Sequence, residues 1–144
     1  MNQSKLPSKK SQGIYGYHLT MELYNCRPDT VGDIRKGYSY LDELPELLKA
    51  RKLSPPFIIY TDEKEYPDKA GLSGWVPITD YENRIYSGVS IHTLTPTNFI
   101  SIDIYAPREF DPKRIKRFTS AIFQPKLVEE RYFVRGDEFS VPSP

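Results

Sequence analysis

Two alternating segments joined by a turn constrain this chain more than any other feature of its sequence. Gly88 to Leu94 and Phe99 to Tyr105 each set apolar residues at every second position, the period of a half-buried strand. Thr95-Pro96-Thr97-Asn98 stands between them and suits a hairpin connection. The pair predicts an antiparallel sheet with one face turned to a core.

The remaining elements follow the same logic. Ile14 to Tyr24 alternates around His18, Thr20 and Glu22 and reads as a first strand, followed by turn chemistry from Asn25 to Asp29. Leu41, Leu44, Leu47 and Leu48 recur at helical spacing, with Ser39 and Asp42 as a capping pair. Pro45 either kinks this helix or marks its first turn, and Ser54-Pro55-Pro56 ends it. Phe57 to Tyr60 reads as a short buried strand and Leu72 to Ile78 as another, where Pro77 predicts an edge or a bulge. Asp111 and Pro112 open a second helix. Its stripe Ile115, Phe118 and Ile122 is buried, while Lys113, Arg114, Lys116 and Arg117 form a solvated face rather than a phosphate site. Lys126 to Val134 is a last strand. The order β-α-β-β-β-β-α-β predicts an α/β (α+β) two-layer sandwich, a mainly antiparallel sheet with two helices on one face. Residues 1–13 read as a disordered lead, 14–135 as one domain and 136–144 as a loose tail.

Composition excludes several classes. A net charge of +1 lacks the basic footprint of a DNA binder but leaves room for a small anionic ligand. The single cysteine, Cys26, rules out an internal disulfide and a cysteine-built metal site, fits a reducing cytoplasm, and reads as a buried packing residue. No apolar run is long enough for a membrane span, and no apolar signal core opens the chain. Tyrosines (11) outnumber phenylalanines (7), which suits pocket or interface surfaces and equally suits half-exposed strands.

Three ordered motifs resemble the small prokaryotic S-adenosylmethionine decarboxylases over nearly the whole domain, from about Gly16 to Arg135. Gly16-Tyr17-His18-Leu19 through Glu22-Leu23-Tyr24-Asn25-Cys26 is similar to the family's opening strand. Gly71-Leu72-Ser73-Gly74 resembles its Gly-Val-Ser-Gly, and Ser87 with Ser90-Ile91-His92-Thr93 resembles its self-cleavage segment. The resemblance implies a two-layer sandwich, a homodimer or larger homo-oligomer, S-adenosylmethionine as substrate and a place in polyamine (spermidine) biosynthesis. It makes Ser87 the precursor of a covalent pyruvoyl group formed by self-cleavage, with Ser73 and His92 assisting. Tyr66, beside Pro67, falls where the family keeps an aromatic that stacks on adenine. No metal is implied.

The departures gather around one pocket. Tyr86 replaces the glutamate before the cleaved serine, and Pro107 takes the place of the proton-donating cysteine. Leu94-Thr95-Pro96 replaces the family's Trp-Pro-acid run, and the stretch from Ser73 to Ser87 is longer than the family's. Three readings stay open within the family. A pyruvoyl enzyme would use another proton donor, Tyr105, His92 or water. A lyase would cleave S-adenosylmethionine or an adenosyl-sulfonium conjugate to a methylthioadenosine-type product and homoserine lactone, by attack of the substrate's own carboxylate. It would need positioning and charge stabilisation, from tyrosine rings and from Asp103, Glu82 or Glu109. An uncleaved homologue would only bind or regulate. Outside the family stands an α+β interaction domain that resembles it by chance.

Overall fold

The computed structural model describes residues 14–62, 64–65, 67–82 and 86–139, with Tyr86 in backbone only. The N-terminal lead, Tyr66 and the last residues of the tail lie outside the described residues.

Strand β1 (Gly16–Tyr24) is followed by α1 (Pro28–Val31), α2 (Ile34–Leu47), β2 (Arg51–Lys52), β3 (Phe57–Thr61), β4 (Gly71–Thr79), β5 (Tyr86–Leu94), β6 (Phe99–Ala106), α3 (Pro112–Phe123) and β7 (Leu127–Arg135). The strands form one antiparallel sheet in the order β2-β4-β5-β6-β1-β7, with β3 also on the outer edge of β4. The predicted hairpin is present: one 3₁₀ turn, Thr95–Thr97, leads into left-handed Asn98 between β5 and β6. Alternation then sorts the side chains. Leu19, Met21 and Leu23 of β1, Val89 and Ile91 of β5, and Ile100, Ile102 and Ile104 of β6 are fully buried beneath the helices. Each such side chain contributes about 2 kcal/mol of burial. The residues between them face away from the helices and form an open sheet face.

Four sequence expectations are corrected. The first helix starts earlier than Ser39, because Asp33 accepts hydrogen bonds from the Arg35 and Lys36 amides at 3.0 and 3.3 Å and is the true cap. Pro45 does not open it; it sits in the last turn, where its carbonyl accepts from the Leu48 and Ala50 amides. The strand from Phe57 is not buried. Phe57 and Ile59 are 65% and 47% exposed because β3 is an edge whose outward face nothing among the described residues covers. A third, short helix, α1, follows Pro28 where only a turn was expected.

Pro77 shows why its strand tolerates an imino acid. Its carbonyl accepts from Leu53 N–H on the outer edge of β4, so the missing amide hydrogen falls on the same side, in the break between β2 and β3. The second helix is capped as expected, with Asp111 accepting from Lys113 N–H at 3.0 Å and Pro112 next. Beyond β7 the described part of the tail turns back at Gly136, and Phe139 packs edge-on against Tyr15 at 4.9 Å.

Candidate functional site

Strand register lays the open face out in cross-strand rows. One row runs Pro77, Gly88, Tyr105, His18 and Phe133; the next runs Trp75, Ser90, Asp103, Thr20 and Arg131; a third begins Ser73, His92, Ser101 and Glu22. An open depression of about 540 Å³ occupies the first two rows, lined by His18, Trp75, Gly88, Ser90, Asp103 and Tyr105, with Leu53, Pro77 and Ser87 at its edge.

His18 is held from both ring nitrogens. Arg135 Nη1 donates to Nδ1 at 3.0 Å, which leaves the imidazole hydrogen on Nε2 to donate to Asp103 Oδ1, also at 3.0 Å. Tyr105 stacks on His18 at 5.4 Å with 10° between the ring planes, and the Arg135 guanidinium lies 4.9 Å over the Tyr105 ring. Burial raises the Tyr105 phenol above its ordinary range, and the Arg135 charge offsets part of that rise. Tyr105 is therefore a packed wall that keeps its proton. Asp103 differs: its side chain stays 47% exposed and offers carboxylate to the depression.

The site residues read from the sequence separate into groups. Ser73 Oγ and His92 Nδ1 lie 3.3 Å apart on the open face, as register partners. Ser87 does not join them. It lies within β5, paired to Ile78, with its hydroxyl buried and without a hydrogen-bond partner among the described residues. It belongs to the helix-side set with Val89 and Ile91, at the far end of the strand from His92, roughly 16 Å along the chain. Thr93, the last residue of the Ser-Ile-His-Thr run, is structural. Its buried hydroxyl accepts from Leu72 N–H at 2.8 Å and donates to the Val31 carbonyl at 2.7 Å, tying β4, β5 and α1 together. Glu109 is not brought to Asp103 and Tyr105; it lines a separate hollow between α2 and α3 with Leu47, Asp111 and Arg114. Glu82 pairs with Arg108 at 3.3 Å. Pro107 is buried at the end of β6. Cys26 is buried as expected, and burial pushes its thiol up to about 11.

Sequence reasoning missed Trp75 and Arg135 as site residues and treated His18 only as part of a strand. Trp75 stands two positions after Ser73, so strand parity already put it on the same face. Arg135 reaches His18 only through the pairing of the first and last strands, which no local pattern carries. Among the described residues no group of histidine, cysteine and carboxylate side chains has the makings of a metal site, and no helix is long and apolar enough to cross a membrane.

An antiparallel sheet with helices on one face and a depression on the other is an α+β sandwich that presents its site on the sheet. Residues 17–136 match the model of the S-adenosylmethionine decarboxylase family, and the chain belongs to that family. It is 30% identical over 122 residues to an S-adenosylmethionine decarboxylase proenzyme of Clostridium botulinum strain Hall, covering 84% of this chain and 94% of that protein. The proenzyme of the Langeland strain is 29% identical over the same share. The crystal structure of the adenosylmethionine decarboxylase from Aquifex aeolicus superposes with a TM-score of 0.65 at 17% identity, over 90% of this chain and 94% of that one, and so shares the fold. A chance resemblance is excluded.

Proposed function

We propose that this protein takes up S-adenosylmethionine, or a conjugate carrying its adenosyl-sulfonium portion, in the open-face depression and cleaves it as an uncleaved lyase. Supporting the ligand is the half-exposed Asp103 carboxylate, held in place by His18 among aromatic walls, which suits a sulfonium cation. The single observation that carries the chemistry is the Ser87 hydroxyl. It is buried toward the helices in a regular ladder, with no partner among the described residues to activate it against the preceding carbonyl. These surroundings do not fit formation of a pyruvoyl group. Pro107 supplies no acid either.

The lyase reaction needs neither. A carboxylate oxygen of the bound substrate attacks its own γ-carbon while the carbon–sulfur bond breaks, and the electron pair leaves with sulfur. The products are methylthioadenosine and homoserine lactone, with no proton exchanged. Holding the substrate folded for this attack is the protein's task, and well-aligned intramolecular displacements gain roughly 7–11 kcal/mol from such positioning.

A second copy of the chain covers the β3 edge of the open face. Phe57 and Ile59 are 65 and 47% exposed there, an apolar surface beside the depression. The Ser73–His92 pair lies on this same face, in the cross-strand row next to the depression.

A second reading, pyruvoyl-dependent decarboxylation, draws on the retained Ser73–His92 hydrogen bond and on the proenzyme names of the relatives. Incubation with S-adenosylmethionine separates the two. Methylthioadenosine and homoserine lactone from protein of full mass are the expected result. Decarboxylated S-adenosylmethionine, produced by a chain split before Ser87, overturns the lyase in favour of the decarboxylase. Binding without any product leaves a regulatory homologue.

A further inference from the structure

We infer that Trp75, seated across Gly88, is the platform on which the ligand's adenine stacks, taking the role the sequence suggested for Tyr66. This rests on the proposed ligand and adds the residue that selects for its base.

Three observations converge on the indole. Trp75 is the chain's only tryptophan and stands 49% exposed on β4, a strand flanked on both sides, where so large an apolar ring would otherwise be covered. It has neighbouring space by design of the opposite strand: a Cβ at Gly88 would come within 2.5 Å of the indole Nε1, so only glycine lets the ring settle there. Of the aromatic rings lining the depression, His18 and Tyr105 are stacked on each other, whereas Trp75 has no ring partner among the described residues. Register adds the orientation. Trp75, Ser90 and Asp103 form one row across adjacent strands, which sets the indole and the carboxylate roughly 10 Å apart at a strand spacing of about 4.8 Å. A purine on the indole therefore extends its ribose and charged sulfur toward Asp103. One end of the slot accepts any flat base; the other favours positive charge.

The single tryptophan reports on this directly. S-adenosylmethionine and neutral methylthioadenosine are expected to quench its emission, whereas S-methylmethionine, a sulfonium without a base, leaves it unchanged. Trp75→Phe keeps methylthioadenosine binding within a few-fold, and Trp75→Ala weakens it roughly ten-fold or more. Gly88→Ala displaces the indole, shifts the emission of the free protein and weakens base-bearing ligands to the same degree. Calorimetric heat from S-adenosylmethionine with a silent indole, or unchanged methylthioadenosine binding in Trp75→Ala, overturns the platform and leaves the proposed function standing. No heat with any of the three probes overturns both.

Discussion

His18 Nε2 donates to Asp103 Oδ1 across 3.0 Å, although 85 positions separate the two residues in the chain. The bond joins the first strand to β6 and turns a carboxylate edge toward the depression. It also makes the charge of Asp103 separable from its shape. In Asp103→Asn the amide oxygen still accepts from His18, so the sheet is kept while the negative charge goes. Titration calorimetry at low salt should show S-adenosylmethionine binding about ten-fold more weakly, with methylthioadenosine nearly unchanged. Equal losses for both ligands would remove Asp103 as the cation's partner.

Ser87→Ala tests maturation and stability together. Deleting a buried hydroxyl that has no partner among the described residues should leave the melting temperature unchanged or raise stability by up to about 1 kcal/mol. Wild type and variant should both run as one full-length species and turn over alike. Two fragments in the wild type, lost in the variant together with activity, would establish pyruvoyl chemistry instead.

Thr93→Val is isosteric yet severs both of the hydroxyl's bonds, to Leu72 N–H and to the Val31 carbonyl. Two buried backbone groups lose their partner at once, so the cost should be roughly 2–4 kcal/mol in urea unfolding. A loss under about 0.5 kcal/mol would mean that water replaces the hydroxyl.

Gly71→Ala should be worse tolerated. Gly71 has φ +152°, and a Cβ there would fall 1.9 Å from the Thr93 carbonyl oxygen, so strands β4 and β5 cannot both keep their places. Circular dichroism should report a largely unfolded chain or a steep fall in melting temperature.

Alkali should destabilise the fold in a defined window. Burial raises the Cys26 thiol from 9.0 to about 11 and, chiefly by the same cause, the Tyr132 phenol from 10.0 to about 12. The folded chain thus holds protons that the unfolded chain releases, and stability is complete below pH 9 and falls as pH rises from 9 to 12. Urea midpoints measured across that range should decline steadily. A flat profile would show that both groups ionise in the fold at their ordinary values. Below the window, a thiol reagent at pH 8 should leave Cys26 untouched until denaturant is added.

Much of the fold was legible because its signals are local. The alternation of Phe99 to Tyr105 is a property of neighbouring residues, and so is the cap that Asp111 and Pro112 give α3. The helix start was misplaced because Ser39 and Asp42 fit a capping pattern as well as Asp33 does, and only the chain's path out of α1 decides which side chain meets free amides. Phe57 to Tyr60 read as buried because its composition is apolar. Exposure depends on what covers a strand, and nothing in that segment encodes it.

The site divides along the same line. Sequence alone determined the family motifs, the hairpin and the parity that puts Ser73, Trp75, Ser90 and Asp103 on one side of the sheet, because side chains alternate along any strand. Tertiary structure decided that Ser87 faces the core, that Glu109 belongs to another hollow, and that Arg135 and Asp103 grip one imidazole. Those relationships depend on strand order and register, which arise from long-range pairing between segments that share no local pattern.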